Sequence, residues 1–286
     1  MKIMQLWFLV LGILLGNNVF GQDKQPPPKQ QVTQATQETT KVTTRVTQVP
    51  QTTLTTDRPT FTTGSNMMDV NRFQLELGYT YTDLEHGDSS TFPEALIRYG
   101  LNKDWELRLG WDGYDFGTEN GDIAQDMSFG FKWKFKDAGT VVLDGAPYLL
   151  TPVDMALITK FTLPTGSDPT DFAAETRIAW NYDPEGPWSF ASNLGVGSPI
   201  DKDTGDRFFQ GVASVMGCRT ISEAASLFGE FYTNFPAADD NDAEYVVQTG
   251  LIHRLSDNMQ FDVRVGAGLN DQAPDWLVGC GLAYRF

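Results

Sequence analysis

The residues that could do chemistry in this chain are few and poorly placed for it. His86 and His253 are the only histidines. A serine hydrolase would need a Ser and an orienting Asn or Asp beside one of them. Ser214 and Ser226 lie within a strand of His253, but their spacing is not diagnostic, and His253 falls on an apolar face. The run Asp239-Asp240-Asn241-Asp242 gathers carboxylates for a divalent cation, yet it lacks the spacing and the bidentate Glu of a calcium loop. Cys218 and Cys280 follow neither a metal-ligand nor a disulfide-framework spacing and read as small apolar fillers. The expectation is no catalytic residue, no metal, no cofactor and no enzyme.

A second set of reactive groups is more orderly. Glu76, Glu94, Arg98, Glu106, Arg108, Lys132, Lys134, Lys160, Glu175, Arg177, Arg254, Asp262, Arg264 and Arg285 all fall at alternate positions of otherwise apolar segments. Mixed charge on one face of a strand can form ion pairs or line a polar passage.

The elements that carry these charges show a two-residue period. Phe73, Leu75, Leu77, Tyr79 and Tyr81 alternate with Gln74, Glu76, Gly78 and Thr80. Trp105, Leu107, Leu109 and Trp111 alternate with Glu106, Arg108 and Gly110, and Met127 to Phe135 repeats the pattern. Such alternation puts apolar side chains on one face of a strand and polar ones on the other. Runs of nine to eleven residues suit a tilted membrane-crossing strand. About twelve strands follow, near 72–82, 92–99, 105–111, 127–135, 153–163, 174–182, 188–197, 207–218, 224–234, 244–255, 259–269 and 275–286, with ten or fourteen as alternatives. The stretch 137–152 is long for a turn. Trp105, Trp111, Trp133, Trp180 and Trp188 read as interfacial girdles rather than a ligand box.

The connections sort by charge. Every second one is short, such as Asn102-Lys103-Asp104 and Ser256-Asp257-Asn258. The others carry Asp83, Glu85 and Asp88; Asp115, Glu119 and Asp122; Asp168 and Asp171; Asp201, Asp203 and Asp206; Asp239, Asp240 and Asp242; Asp271 and Asp275. This predicts an acidic outer rim, with both termini on the other side.

The N-terminus reads as a signal peptide over 1–21: Lys2, an apolar run to about Leu15, and small residues near Gly21. Export through a cleaved signal and a mature start at Gln22 are expected. Residues 22–56 are rich in Thr, Gln and Pro and read as a disordered periplasmic tether. The barrel is expected over 57–286. A formal net charge of −16 argues against nucleic acid as a partner. No segment has the roughly 18 uninterrupted apolar residues of a spanning helix, and only a closed barrel otherwise satisfies every backbone group in lipid.

The last strand carries Val278, Cys280, Leu282, Tyr284 and Phe286 on one face and ends on the aromatic residue. It resembles the terminal signature by which the barrel-assembly machinery recognises outer-membrane proteins.

Several motifs carry a wider resemblance: Thr56-Asp57-Arg58-Pro59 with Phe61-Thr62-Thr63-Gly64, Arg72-Phe73-Gln74-Leu75-Glu76, Arg98-Tyr99-Gly100-Leu101, Leu163-Pro164-Thr165-Gly166-Ser167 and Asp262-Val263-Arg264-Val265-Gly266. Over about 57–286 the chain resembles the outer-membrane transporters named for the meta-pathway of phenol degradation. The resemblance implies an outer-membrane transporter and supplies no catalytic residues.

The expected architecture is an all-β, antiparallel up-and-down barrel in the outer membrane of a Gram-negative-type cell. Outer-membrane lipid, the assembly machinery and a small solute are its expected partners. It would pass small solutes passively, hydrophobic or aromatic ones included. The alternative is a sealed structural or adhesive barrel. Closure of the first strand on the last is expected to bring Glu76 towards Arg285.

Overall fold

A computed structural model describes residues 53–84, 87–116, 123–143, 146–151, 153–167, 171–200, 205–237 and 242–286. The proposed signal peptide, residues 22–52 of the tether and His86 lie outside them.

Among the described residues, sixteen strands follow in chain order. The first six are β1 (Phe73–Leu84), β2 (Gly87–Gly100), β3 (Trp105–Trp111), β4 (Tyr114–Phe116), β5 (Ile123–Ala124) and β6 (Met127–Lys136). Next come β7 (Gly139–Leu143), β8 (Ala146–Thr151), β9 (Val153–Leu163), β10 (Ala173–Tyr182) and β11 (Trp188–Gly197). The last five are β12 (Gln210–Thr220), β13 (Ala225–Pro236), β14 (Glu244–Ser256), β15 (Met259–Gly268) and β16 (Trp276–Arg285).

One antiparallel sheet runs β1-β16-β15-β14-β13-β12-β11-β10-β9-β6-β3-β2, and β1 pairs with β2 to close it. Twelve strands thus form the wall, as the alternation predicts. The short β4 and β5 extend the outer edge of β2. Pro93, which has no N–H to give, sits where the partner of β2 changes from β3 to β4. The long 137–152 connection contains the β7–β8 hairpin, a sheet of its own.

The turns 101–104, 183–187, 221–224 and 257–258 lie at the end that carries the terminus of β16, as does the β7–β8 hairpin. By contrast, β1 and β2 close on each other at the opposite end, where Leu84 pairs with Gly87. Asn102 forms the first of these turns, its side-chain oxygen accepting N–H bonds from Asp104 (2.9 Å) and Trp105 (3.0 Å). Asp83, Asp88, Asp115, Asp171, Asp206, Asp242, Asp271 and Asp275 lie at or beside the opposite end. Asp239-Asp240-Asn241 lies outside the described residues.

The wall is apolar outside and polar inside. Phe73, Val215 and Phe286 are 51%, 53% and 62% exposed, whereas Glu76 and Asp262 are fully buried. The apolar core among described residues is small: Val246, Ala273 and Leu277, with Tyr232 against them. In water this would expose the wrong face. Against lipid it is stable, because Arg or Lys at mid-depth on the outside would cost about 2–4 kcal/mol each.

Aromatic residues band both ends. Phe73 stacks on Tyr99, Trp105 on Trp133, and Trp188 on Phe190 near the termini. Tyr81 packs on Trp276, and Phe129 on Phe161, towards the other end. Val278, Tyr284 and Phe286 face outward, and the Phe286 N–H closes on the Phe73 carbonyl at 2.8 Å.

The register corrects one expectation. Gln74, not Glu76, stands opposite Arg285, and Glu76 stands opposite Ala283. Arg285 reaches Asp69 at 3.0 Å instead.

Residues 57–286 hold more than the wall. The wall begins at Phe73, and residues 54–70 run inside it. Leu54, Thr62, Ser65 and Met68 of this stretch are buried. It joins the wall at Gly100, whose carbonyl accepts the Asn71 N–H at 2.7 Å. Asn71 has φ +61°, a left-handed conformation that Asn tolerates. A Cβ on Gly100 would lie 2.1 Å from the Asp69 carbonyl oxygen, so the approach requires glycine there.

Candidate functional site

The site is the lumen, and its central feature is the segment 54–70. This segment makes no ladder with the wall before Val70, so its backbone groups need partners from elsewhere. Inward side chains supply them, strand by strand, in a lap of the interior.

The lap starts over β1 and β15. Gln74 donates to the Thr55 carbonyl at 2.9 Å, and Gln260 to the Thr56 hydroxyl at 2.7 Å. Glu76 accepts the N–H groups of Asp57 and Arg58 at 3.0–3.2 Å. Arg264 on β15 donates to the Pro59 carbonyl at 2.8 Å and to Thr80 at 2.7 Å. Glu230 on β13 takes the N–H groups of Phe61 (3.0 Å) and Thr62 (2.5 Å), and Gln248 donates to the same carboxylate. The Thr62 hydroxyl bonds Ser214 on β12 at 2.8 Å.

Asn193 on β11 then imitates a strand edge. Its side-chain oxygen accepts the Thr63 N–H and its amide donates to the Thr63 carbonyl, both at 2.8 Å. Asn181 on β10 accepts the Ser65 N–H at 2.8 Å. Lys132 on β6 donates to the Asn66 carbonyl at 3.2 Å, and Glu106 on β3 accepts the Met68 N–H at 3.1 Å.

Asp57 is the electrostatic hub. Its carboxylate lies 3.4 Å from Arg98 and 3.3 Å from Lys132, and it also contacts Arg108. Burial alone would raise its pKa, but Arg108, Arg98 and Lys132 hold it well below the usual carboxylate range. Around it, Glu106 takes Arg98 through Nε at 2.8 Å and Nη2 at 2.9 Å, and Arg108 at 2.8 Å. Arg98 also reaches Glu76 at 3.2 Å. Every charge in this buried cluster has an opposite partner, which a low-dielectric interior demands.

Arg58 points the other way, into the wall. Nη1 lies 2.6 Å from Glu94, and Nη2 donates to the Cys280 carbonyl at 3.1 Å.

Beside the segment a cavity of about 400 Å³ remains. Asp57, Arg58 and Phe61 line one side, and Arg108, Lys160, Glu175, Arg177 and Arg264 the others. Gly110, Ser128 and Gly130 keep side chains off the β3–β6 wall and leave that room. Phe61 is held by stacking on Tyr232 (4.2 Å between centroids) and by the Arg177 guanidinium 4.5 Å from its ring. Glu175 pairs with Arg177 at 2.6 Å.

Among the charged positions named from the sequence, Glu76, Arg98, Glu106, Arg108 and Lys132 form the Asp57 cluster. Glu94, Asp262 and Arg264 surround Arg58, while Lys160, Glu175 and Arg177 face the cavity. Three sit at the termini end. Lys134 pairs with Asp137 (2.8 Å) and Asp154 (3.0 Å), Arg254 donates to the Glu223 carbonyl in a turn, and Arg285 holds Asp69. Sequence reasoning missed Glu230, Asn181 and Asn193, which hold the segment, and it counted Asp57 and Arg58 within the barrel without placing them in the lumen. The available signal was polar residues on inward positions where a sealed barrel would need only small apolar ones.

No curated protein matches the chain. An outer membrane channel from Pseudomonas putida F1 aligns with a TM-score of 0.54 at 13% identity, covering 78% of this chain and 98% of that one. The KdgM porin in complex with disordered oligogalacturonate aligns at 0.50 and 9% identity, over 74% of this chain and 99% of the porin. At these identities the likeness is one of fold, that of outer-membrane barrels. The family described as "Putative MetA-pathway of phenol degradation" matches residues 56–286. The chain belongs to that family.

Proposed function

We propose that the chain is a passive outer-membrane channel for small solutes whose passage is gated by its own segment 54–70. One observation carries this reading: the wall encloses more room than its inward side chains fill. The surplus holds a polar segment and a charged cavity of about 400 Å³ rather than a packed apolar core. A twelve-stranded wall lies between eight-stranded barrels, filled by their own side chains, and the open porins of sixteen or more.

The chain is exported by residues 1–21, which are removed, and assembles with its termini on the periplasmic side and its acidic connections outside. Phe286 and the outward residues of β16 serve as the assembly signal. The cavity suits polar or charged solutes best. Tyr232 and Arg177 already cover the Phe61 ring, so a solute in the cavity meets charged groups, and one that carries charge fits better than a hydrocarbon.

The test is single-channel conductance of the mature chain, refolded into a planar bilayer, with and without residues 54–70. Intermittent steps from the intact chain and sustained larger ones from the deletion are expected. Silence from both, with folding confirmed by a heat-dependent gel shift, would leave a sealed structural barrel.

A further inference from the structure

Arg58 is set into the barrel wall, not merely directed at it. The ladder places Gly78 on β1 opposite Gly281 on β16. A Cβ at Gly78 would lie 1.9 Å from Arg58 Nη1, and one at Gly281 would lie 2.3 Å from Arg58 Nε. Two side chains are therefore missing at one level of two neighbouring strands, and the guanidinium fills the slot they leave.

The slot is lined with acceptors. Glu94 meets Nη1 at 2.6 Å and the Cys280 carbonyl meets Nη2 at 3.1 Å. Asp262 is fully buried, with an oxygen 3.9 Å from Nη2. Neither Asp262 oxygen accepts a hydrogen bond from a described residue, and Arg58 Nε donates none. A buried carboxylate without donors is costly. The slot thus holds more acceptor capacity than Arg58 uses.

Charge sets the valence of an occupant. Without Arg58, Glu94 and Asp262 leave two negative charges against the single positive charge of Arg264, which gives Nη1 to Pro59 and Nη2 to Thr80 and whose Nε donates to neither carboxylate. One monovalent cation balances the site. A guanidinium suits it better than an alkali ion or a bulky ammonium, being flat enough for a slot between two glycines and able to offer a fork of N–H donors to carboxylates. The acidic connections at the outer end raise the local concentration of such cations.

We propose that the Gly78–Gly281 slot, with Glu94 and Asp262, is a binding site for small guanidinium-bearing solutes, held by Arg58 while segment 54–70 occupies the lumen. The proposal rests on the reading of that segment as a gate. A solute of this class then competes with Arg58 for the slot, and its binding favours withdrawal of the segment.

The experiment is calorimetric titration of ethylguanidinium chloride into the detergent-solubilised mature chain carrying Arg58→Ala, with tetramethylammonium chloride at equal ionic strength as the reference. A heat-dependent gel shift confirms folding. Saturable one-to-one binding is expected in Arg58→Ala, with weaker binding in the wild type, where the slot is filled. Adding Asp262→Asn should weaken binding about tenfold or more. Should Arg58→Ala not fold, a chain lacking residues 53–59 empties the slot by another route. Absent binding to a folded variant, equal response to tetramethylammonium, or indifference to Asp262→Asn overturns the proposal. Because this readout is binding, a barrel that binds ethylguanidinium yet never conducts would sink the channel reading and leave the slot standing.

Discussion

Gly78 and Gly281 face each other across the β1–β16 ladder, and the guanidinium of Arg58 occupies the space that both leave empty. The seam where the last strand closes on the first is therefore also where the lumenal segment is keyed to the wall. Replacing either glycine by alanine puts a methyl group where the guanidinium lies, with the Leu77 carbonyl oxygen a further 2.8 Å neighbour at Gly281. The strands keep their ladder, so the wall should still form. Overpacking of this kind costs about 1–3 kcal/mol. Gly78→Ala and Gly281→Ala should leave the gel shift intact and raise the open fraction in single-channel records by about tenfold or more. Wild-type records from both variants would show that Arg58 does not hold the segment.

The second prediction concerns acid. The pKa of Asp57 is lowered in the docked segment from an ordinary value of 3.8, held down by Arg108, Arg98 and Lys132 against the opposing effect of burial. A group whose pKa is lowered on docking stabilises the docked state above its undocked pKa. That stabilisation fades as pH falls from the undocked value towards the docked one and is gone below it. Between pH 7 and pH 4 the contribution of Asp57 should stay almost constant, and loss should begin below about pH 4. Asp57→Asn removes the charge at every pH and takes from Lys132 its one close carboxylate, while Arg98 and Arg108 keep Glu106, a change of about 3–5 kcal/mol for a broken buried pair. Conductance of this variant at pH 7 should be open and sustained. A wild-type channel that opens between pH 7 and pH 5 would assign the latch to another group.

Much of the wall was legible because each strand carries its own evidence. Alternation along Phe73–Tyr81 or Trp105–Trp111 is local, and lipid outside with polar groups inside enforces it at every step. The closing register was not legible. Whether Glu76 or Gln74 meets Arg285 depends on the stagger accumulated around twelve strands, which no single strand encodes. The lumenal segment was hidden for a related reason. Thr62, Thr63 and Ser65 are partnered by Glu230, Asn193 and Asn181, more than a hundred residues away and on three different strands. Read alone, residues 54–70 have no periodicity, because their backbone is satisfied by side chains rather than by a ladder. The glycine at 78, unhelpful to a strand, was the mark of something approaching the wall closely.

Glu230 offers a test of the far side of the lap. One carboxylate accepts two consecutive N–H groups, from Phe61 and Thr62, and the amide of Gln248. Glu230→Gln keeps the size but brings a donor towards donors, leaving a buried N–H without an acceptor. The cost should be about 1–3 kcal/mol. Because Phe61 stacks on Tyr232 beside this contact, ring mobility should follow. The expected result is a new, partly open conductance level rather than full opening, since the Asp57 and Arg58 contacts persist. Full opening in Glu230→Gln would make this the principal latch.

The gate itself can be locked. The Thr62 hydroxyl lies 2.8 Å from that of Ser214 on β12, so thiols at these two positions fall within reach of a disulfide of about 2.05 Å after small rotamer changes. The native thiols would confuse the result: Cys218 lies four residues along β12 from Ser214, and both it and Cys280 are free. The background is therefore Cys218→Ser with Cys280→Ser. In that background, Thr62→Cys with Ser214→Cys should be silent when oxidised and should recover wild-type steps on adding a thiol reductant. Because the wall is untouched by the bond, the gel shift should be the same in both states. Equal conductance before and after reduction, with the disulfide confirmed by mass, would mean that solutes pass a segment that never moves. The gate would then be a fixed constriction, and selectivity would rest on the β3–β6 side of the cavity alone.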